Sequence, residues 1–302
     1  STREMTGPSM SATEPRIHID TLHTRVEFFE HHLTLWIGFF LIVTYMIIPT
    51  PTAASEQSTI RFSATTLYEG DPHELTATLQ KPMGSGPFPA IVLMHGCSGL
   101  TPAVRLALDE HAKYFVMHDF VTLILDSFSG RGIAPGWVCK TSQRLSRAVN
   151  YRVIDAHDAF SYLRSLPFID KTNIFQIGQS NGGGVSLKLA QTNNPTFAAL
   201  AALYPWCGYL ETNESTIKLT TPLIVLSGGL DSWTPAELCA SIKSNGALYK
   251  FVLYPDALHS FDIELKLQRY QGHLIGYHPK GAIDSRAQIL AFFAEHLDNF
   301  PK

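Results

Sequence analysis

The sequence predicts an α/β protein with a mostly parallel central sheet flanked by helices on both faces. Three observations predict it. From about residue 88 onward, apolar runs of strand length alternate with segments of helical periodicity. Runs such as "AIVLM" and "FVTLILD" are continuously apolar rather than alternating, as strands buried on both faces must be. The 302 residues are 45% hydrophobic and 16% charged, which suits a chain with a large core.

The elements follow in order. Residues 58–68 and 73–82 read as two strands around the turn residues Gly70, Asp71 and Pro72. After the loop "GSGPFP", residues 90–96 form a strand ending in glycine. Residues 102–119 have helical spacing, with Thr101 as N-cap and Pro102 at the first helical position. Residues 120–126 are a strand, 146–166 a long helix, 172–178 a strand and 181–192 a helix. Strands at 197–205 and 222–228 precede a helix at 235–244, a strand at 249–255 and a closing helix at 284–297. Thr234, Pro235 and Glu237 have the spacing of a T-P-x-E capping box, which would start the 235–244 helix. The expected organisation is one α/β domain over residues 55–302, preceded by a leader at 1–54.

The leader contains "LTLWIGFFLIVTYMII", residues 33–48, an uncharged apolar run followed by "PTPTAASEQ". It is shorter than the ~20 residues of a membrane span and close to the apolar region of a signal peptide. Thr52 and Ala54 stand where a signal peptidase reads small residues. Arg3, Arg16 and Arg25 are outnumbered by Glu4, Glu14, Asp20, Glu27 and Glu30, so the basic flank is poor. A cleaved signal peptide is the first reading, an uncleaved membrane tether through 33–48 the second, and a buried helix the third. Met5 and Met10 are alternative starts. Either of the first two readings makes the domain extracytoplasmic, periplasmic or secreted.

A net charge of −3 and the lack of a long basic run argue against nucleic acid as a partner. The four cysteines, Cys97, Cys139, Cys207 and Cys239, contain no C-x-x-C pair, so zinc-site spacing is missing and no metal is expected. They fit an oxidising compartment, with three disulfide connectivities open and buried free thiols as the alternative.

The chemistry centres on Gly178-Gln179-Ser180-Asn181-Gly182, a G-x-S-x-G placed directly between a strand and a helix. Such a turn exposes the serine at the C-terminal edge of the sheet. Gly178 and Gly182 fall where a Cβ would strike neighbouring backbone, and Gly183 and Gly184 would let the helix approach the sheet. A serine hydroxyl needs a base, and the base needs an orienting group. Asp231, after the 222–228 strand, and His259, after the 249–255 strand, supply them in the chain order serine, acid, histidine. Asp256 and Asp262 are competing acids beside His259. Acyl transfer also needs donors for the developing oxyanion, and the N–H groups of Asn181 and of Cys97 in "HGCSG" are the candidates.

These motifs, "VLMHGCSG", "LDSFSGRG", "IGQSNGGG", "LDSWTPAELC" and "YPDALHSFD", together resemble the dienelactone hydrolase family of α/β-hydrolases, especially its extracytoplasmic serine-bearing relatives, over about residues 87–297. The resemblance implies the α/β-hydrolase fold and hydrolysis of small-molecule carboxylic esters or lactones, with no cofactor. Family enzymes named for dienelactone carry cysteine where this chain has Ser180. The resemblance also implies Arg131 as a contact for an anionic substrate group, and the pairings Cys97–Cys139 and Cys207–Cys239. Trp233, the candidate substrate contact, lies with Trp137, Trp206 and Phe128 on loops near the expected site, where they would line an apolar pocket or pack at its rim. A serine peptidase of the same fold, or a non-catalytic binding protein that keeps the scaffold, are the rival functions.

Overall fold

The computed structural model describes residues 55–193, 196–210 and 216–297. The leader reading, with its apolar run at 33–48, lies outside them. Contacts group Pro49–Lys302 into one compact unit.

Strand β1 (Ser55–Ser63) and β2 (Glu74–Pro82) form an antiparallel hairpin, followed by β3 (Phe88–Met94), helix α1 (Pro102–Val116) and β4 (Val121–Asp126). The long α2 (Ser142–Ser165), β5 (Ile169–Gln179), α3 (Asn181–Leu189) and β6 (Leu200–Leu203) come next. Then follow β7 (Thr216–Leu219), β8 (Leu223–Gly228), the short α4 (Glu237–Ala240), β9 (Lys243–Gly246) and β10 (Tyr249–Tyr254). A hairpin of β11 (Gln268–Tyr270) and β12 (His273–Ile275) leads to α5 (Pro279–Ala294).

Eight strands form the main sheet in the order β1-β2-β4-β3-β5-β6-β8-β10. From β4 to β10 all pairings are parallel; β1 and β2 are antiparallel additions at one edge. The continuous apolar runs split by strand alternation. Ala90, Val92 and Met94 face the layer that includes Val149, Ala156 and Leu163 of α2 and Val185 of α3. Ile91 and Leu93 face Leu108, Ala112 and Phe115 of α1 and Ile289, Phe292 and Phe293 of α5. Each face is therefore closed by helices, and the inner strands are buried on both sides, while the edge strand β1 stays largely exposed.

The order reverses at β3. The chain first adds β4 on one side of it, then crosses to place β5 on the other. Loops leaving the C-terminal ends of β3 and β5 diverge there, which opens a crevice suited to a ligand.

Two expectations are corrected. The helix expected over 235–244 stops at Ala240, and Lys243–Gly246 pairs instead with Thr216–Leu219. Cys239 and Ile242 are buried against the core, and that packing overrides the local helical signal. The capping box does not form: α4 begins after Ala236, with no side-chain cap. Thr234 is used elsewhere, as described below. Among the described residues no helix is long and apolar enough to cross a membrane.

Candidate active site

Ser180 sits in the turn between β5 and α3 with φ 50° and ψ −110°, a conformation that costs a residue bearing a Cβ. Its N–H donates to the Leu203 carbonyl of β6, and its own carbonyl accepts from Gly184, both at 2.9 Å. The turn closes only without side chains at its flanks. A Cβ on Gly178 would lie 2.0 Å from the Gly182 carbonyl oxygen, and one on Gly182 would lie 2.4 Å from that of Met94. Gly183 abuts Pro205 and the Leu203 carbonyl, at the sheet as expected, whereas Gly184 faces Tyr209 and Val149 of α2 instead.

Asp231 follows β8 and His259 follows β10, so parallel neighbours deliver both to the edge that carries Ser180. His259 Nε2 lies 3.0 Å from Ser180 Oγ, and Nδ1 lies 2.7 Å from Asp231 Oδ2. With Nδ1–H donated to the carboxylate, the Nε2 lone pair faces the hydroxyl. Asp231 is itself held. Oδ1 accepts from the N–H groups of Trp233 and Thr234 at 2.8 and 2.9 Å, and Oδ2 accepts from the Thr234 hydroxyl at 2.7 Å. Burial pushes the pKa of Asp231 up, but attraction to His259 and the hydrogen bonds from His259 and Thr234 outweigh it, and the net shift is downward. The group stays ionised. Thr234 thus braces the acid instead of capping a helix.

The rival acids are otherwise placed. Asp262 is buried and accepts from Gln179 Nε2 at 2.7 Å and the Tyr204 hydroxyl at 2.6 Å, and it meets His111 Nε2 at 2.8 Å. Asp256 is exposed.

Cys97 and Asn181, whose N–H groups are the candidate donors, each line one of the two cavities that meet at Ser180. A Cβ on Gly96 would touch Ser180 Cβ at 3.4 Å, so the loop after β3 lies directly against the turn. No loop or turn carbonyl among the described residues accepts from either N–H. Arg152, fully buried in α2, joins these two segments: Nη1 donates to Asn181 Oδ1 at 2.8 Å, and Nη2 donates to the His95 carbonyl at 2.7 Å. Burial lowers the Arg152 pKa only to about 10, so it remains a cation at neutral pH. His95 is the opposite case. Burial, reinforced by Arg152, pushes its pKa down to about 3. The neutral ring donates from Nδ1 to the Gly96 carbonyl at 2.7 Å.

Arg131 requires a correction. Both its terminal nitrogens are spent on Asp155, at 2.8 and 2.7 Å, and Nη1 also donates to the Ser127 carbonyl. This pair is buried away from Ser180, so Arg131 does not line the crevice. Asp126 accepts from the Phe128 and Ser129 N–H groups.

Two cavities meet at Ser180. The larger, about 420 Å³, is lined by Leu145, Asn181, Trp206 and Tyr209 among others. The smaller, about 220 Å³, is lined by Cys97, Val104, His259, Ile263 and Tyr270 among others. Trp233 borders both and stands beside His259, with ring centres 4.9 Å apart. Of the other aromatics singled out by position, Trp206 lines the larger cavity. Phe128 is buried edge-on to His95, and Trp137 packs under Arg144. Disulfides join Cys97 to Cys139 and Cys207 to Cys239, tethering the loop after β3 and the turn after β6 to their neighbours. Among the described residues no group of three or more His, Cys, Asp or Glu side chains is arranged to hold a metal ion.

Arg152, Tyr204, Tyr209 and Tyr270 are site or supporting residues that the motifs alone do not reveal. Only Tyr270 had a local signal: Gln271 and Gly272 follow it with φ 50° and 86°, the two-residue turn of a tight hairpin. Arg152 reads in sequence as an ordinary helix-surface charge.

Solved structures resemble the fold. A dienelactone hydrolase from Anabaena variabilis superposes with a TM-score of 0.54 at 17% identity, over 80% of this chain and 98% of its own. Among curated proteins, Esterase FrsA of Shigella boydii is 29% identical over 131 residues, which is 43% of this chain and 28% of the esterase. Cutinase 2 of Thermobifida cellulosilytica is 26% identical over 185 residues, 61% of each chain. The matches therefore span less than two thirds of those relatives. The dienelactone hydrolase family model matches residues 75–297, from β2 through the closing helix and including every motif of the crevice; the chain belongs to the dienelactone hydrolase family.

Proposed function

We propose that the protein is an extracytoplasmic serine hydrolase that cleaves carboxylic esters or lactones through an acyl-enzyme. The observation that carries this reading is the continuous contact from Asp231 Oδ2 through His259 to Ser180 Oγ, at 2.7 and 3.0 Å. The names of the esterase and cutinase relatives support the same class of reaction, and two disulfides support an oxidising compartment. The unassigned leader would then export or tether the domain.

Ser180 Oγ attacks the carbonyl carbon while His259 Nε2 takes its proton. Asp231 holds the imidazole in the required tautomer and stabilises the imidazolium. The N–H groups of Cys97 and Asn181 donate to the oxyanion, each such donor contributing on the order of 10²–10³ in rate. Collapse breaks the ester C–O bond, and the alcohol leaves with the proton from His259. Water then attacks the acyl-enzyme, gives a proton to His259, and releases the acid as Ser180 regains its hydrogen.

The test is hydrolysis of 4-nitrophenyl butyrate by the full chain and by Ser180→Ala. The expected loss in kcat is about 10³-fold or more, and mass mapping should place a fluorophosphonate label on Ser180. Undiminished turnover by Ser180→Ala would refute the reading, and faster cleavage of a peptide panel than of esters would favour a peptidase.

A further inference from the structure

The two cavities differ in what they present to a reacting ester. During collapse of the tetrahedral intermediate, the leaving oxygen must take its proton from His259 Nε2. The alcohol therefore lies in the cavity that His259 lines, the smaller one of about 220 Å³. The acyl group then takes the other side of Ser180, the cavity of about 420 Å³ beside Trp206 and Tyr209.

Neither cavity offers a cation. Apart from His259, the lining side chains are apolar, aromatic, hydroxyl or amide. The nearby arginines are committed elsewhere: Arg131 to Asp155, Arg152 to Asn181 and the His95 carbonyl, and Arg144 to the face and carbonyl of Trp137. A carboxylate entering either cavity would lose water without gaining a cationic partner, close to the ionised Asp231. Arg131, the one residue that the resemblance offered for an anionic group, faces away.

Resting on the hydrolase reading, we propose that the substrates are neutral esters, uncharged on both sides of the scissile bond, with the acyl group in the larger cavity and the alcohol in the smaller. This departs from the anionic type of lactone for which Arg131 would have been the contact. Trp233 is a shared wall, bordering both cavities beside Ser180.

The test uses two matched pairs with the full chain. Methyl 4-nitrophenyl adipate and 4-nitrophenyl hydrogen adipate differ by one charge on the acyl side. Methyl 4-acetoxybenzoate and 4-acetoxybenzoate differ by one charge on the leaving alcohol. With each rate corrected for spontaneous hydrolysis, kcat/KM should favour the neutral member of each pair by about tenfold or more. Gln143 lines the larger cavity and Gln268 the smaller, and both are exposed. Gln143→Arg should narrow the preference within the adipate pair alone, by about threefold to fivefold, the size of a partly exposed ion pair. Gln268→Arg should narrow it within the acetoxybenzoate pair alone. Equal turnover of charged and neutral members would overturn the proposal while leaving the hydrolase reading intact, and an exchanged pattern of the two variants would overturn the assignment of sides. A chain that turns over no ester and takes no fluorophosphonate would overturn both.

Discussion

Arg152 donates to the Asn181 side chain at 2.8 Å from inside the core, while its other terminal nitrogen holds the His95 carbonyl at 2.7 Å. One buried cation thus joins the turn that carries Asn181 to the loop that leads into Cys97.

Arg152→Met keeps the length of the side chain and removes this link. We expect kcat for a neutral ester to fall by about 10–100-fold with KM within about threefold, because positioning of the proposed oxyanion donors, the N–H groups of Cys97 and Asn181, would matter most in the transition state. Arg152→Lys should recover part of the loss. An unchanged kcat in folded Arg152→Met, checked by circular dichroism, would show that the link has no role in turnover.

Ser180 holds φ 50° in a turn that glycine would occupy without strain. Ser180→Gly should abolish ester hydrolysis yet raise stability to urea by about 1 kcal/mol. A lowered unfolding midpoint would refute the idea that the serine is kept there against its conformational preference.

Arg131 and Asp155 form a buried ion pair. Burial is the main influence on Asp155 and raises its pKa despite the opposing pull of Arg131. Arg131→Met should cost about 3–5 kcal/mol by leaving that carboxyl unpaired, and Arg131→Met with Asp155→Leu should restore most of it. The double variant should bind neutral esters with an unaltered KM. A raised KM confined to anionic esters would return Arg131 to the substrate.

His95 is fully buried, and its pKa is lowered from 6.5 to about 3, first by burial and then by Arg152. The unfolded chain protonates this ring near pH 6.5 while the folded chain resists it. The associated stability is therefore complete above that pH and is lost as pH falls toward 3. Between pH 7 and 5 the expected loss is roughly 2 kcal/mol from this group. Burial also lowers the pKa of His73 and His157, in the same direction. Urea melts across that range should show the decline, reduced in His95→Gln. A flat profile would refute it.

Much of the fold was legible because strands buried on both faces announce themselves as continuous apolar runs. The serine turn was legible because its G-x-S-x-G spacing is local and Gly178 is demanded by the Gly182 carbonyl four residues on, although Gly182 itself is demanded by the Met94 carbonyl of β3. The short strands β7 and β9 were not, since "KSNG" carries no apolar alternation and pairs only because Cys239 and Ile242 are packed nearby. Thr234 and Glu237 have the spacing of a capping box, yet the hydroxyl turns to Asp231, a partner equally close in sequence but stronger in charge. Arg131 looked available because nothing local shows that Asp155, a helix residue far along the chain, meets it.

By itself the sequence determined the alternation of strand and helix, the turn that presents Ser180, and the order in which an acid and a histidine follow it. These depend on neighbours along the chain: apolar periodicity, and a Gly178–Gly182 spacing in which a Cβ on the first would strike the second. Tertiary structure alone decided which charges were free. Pairing of Arg131 with Asp155, of Arg152 with two loops and of Asp262 with three donors depends on groups brought together from distant elements. In a buried site the energy of a charge is set by those partners, and local sequence does not contain them.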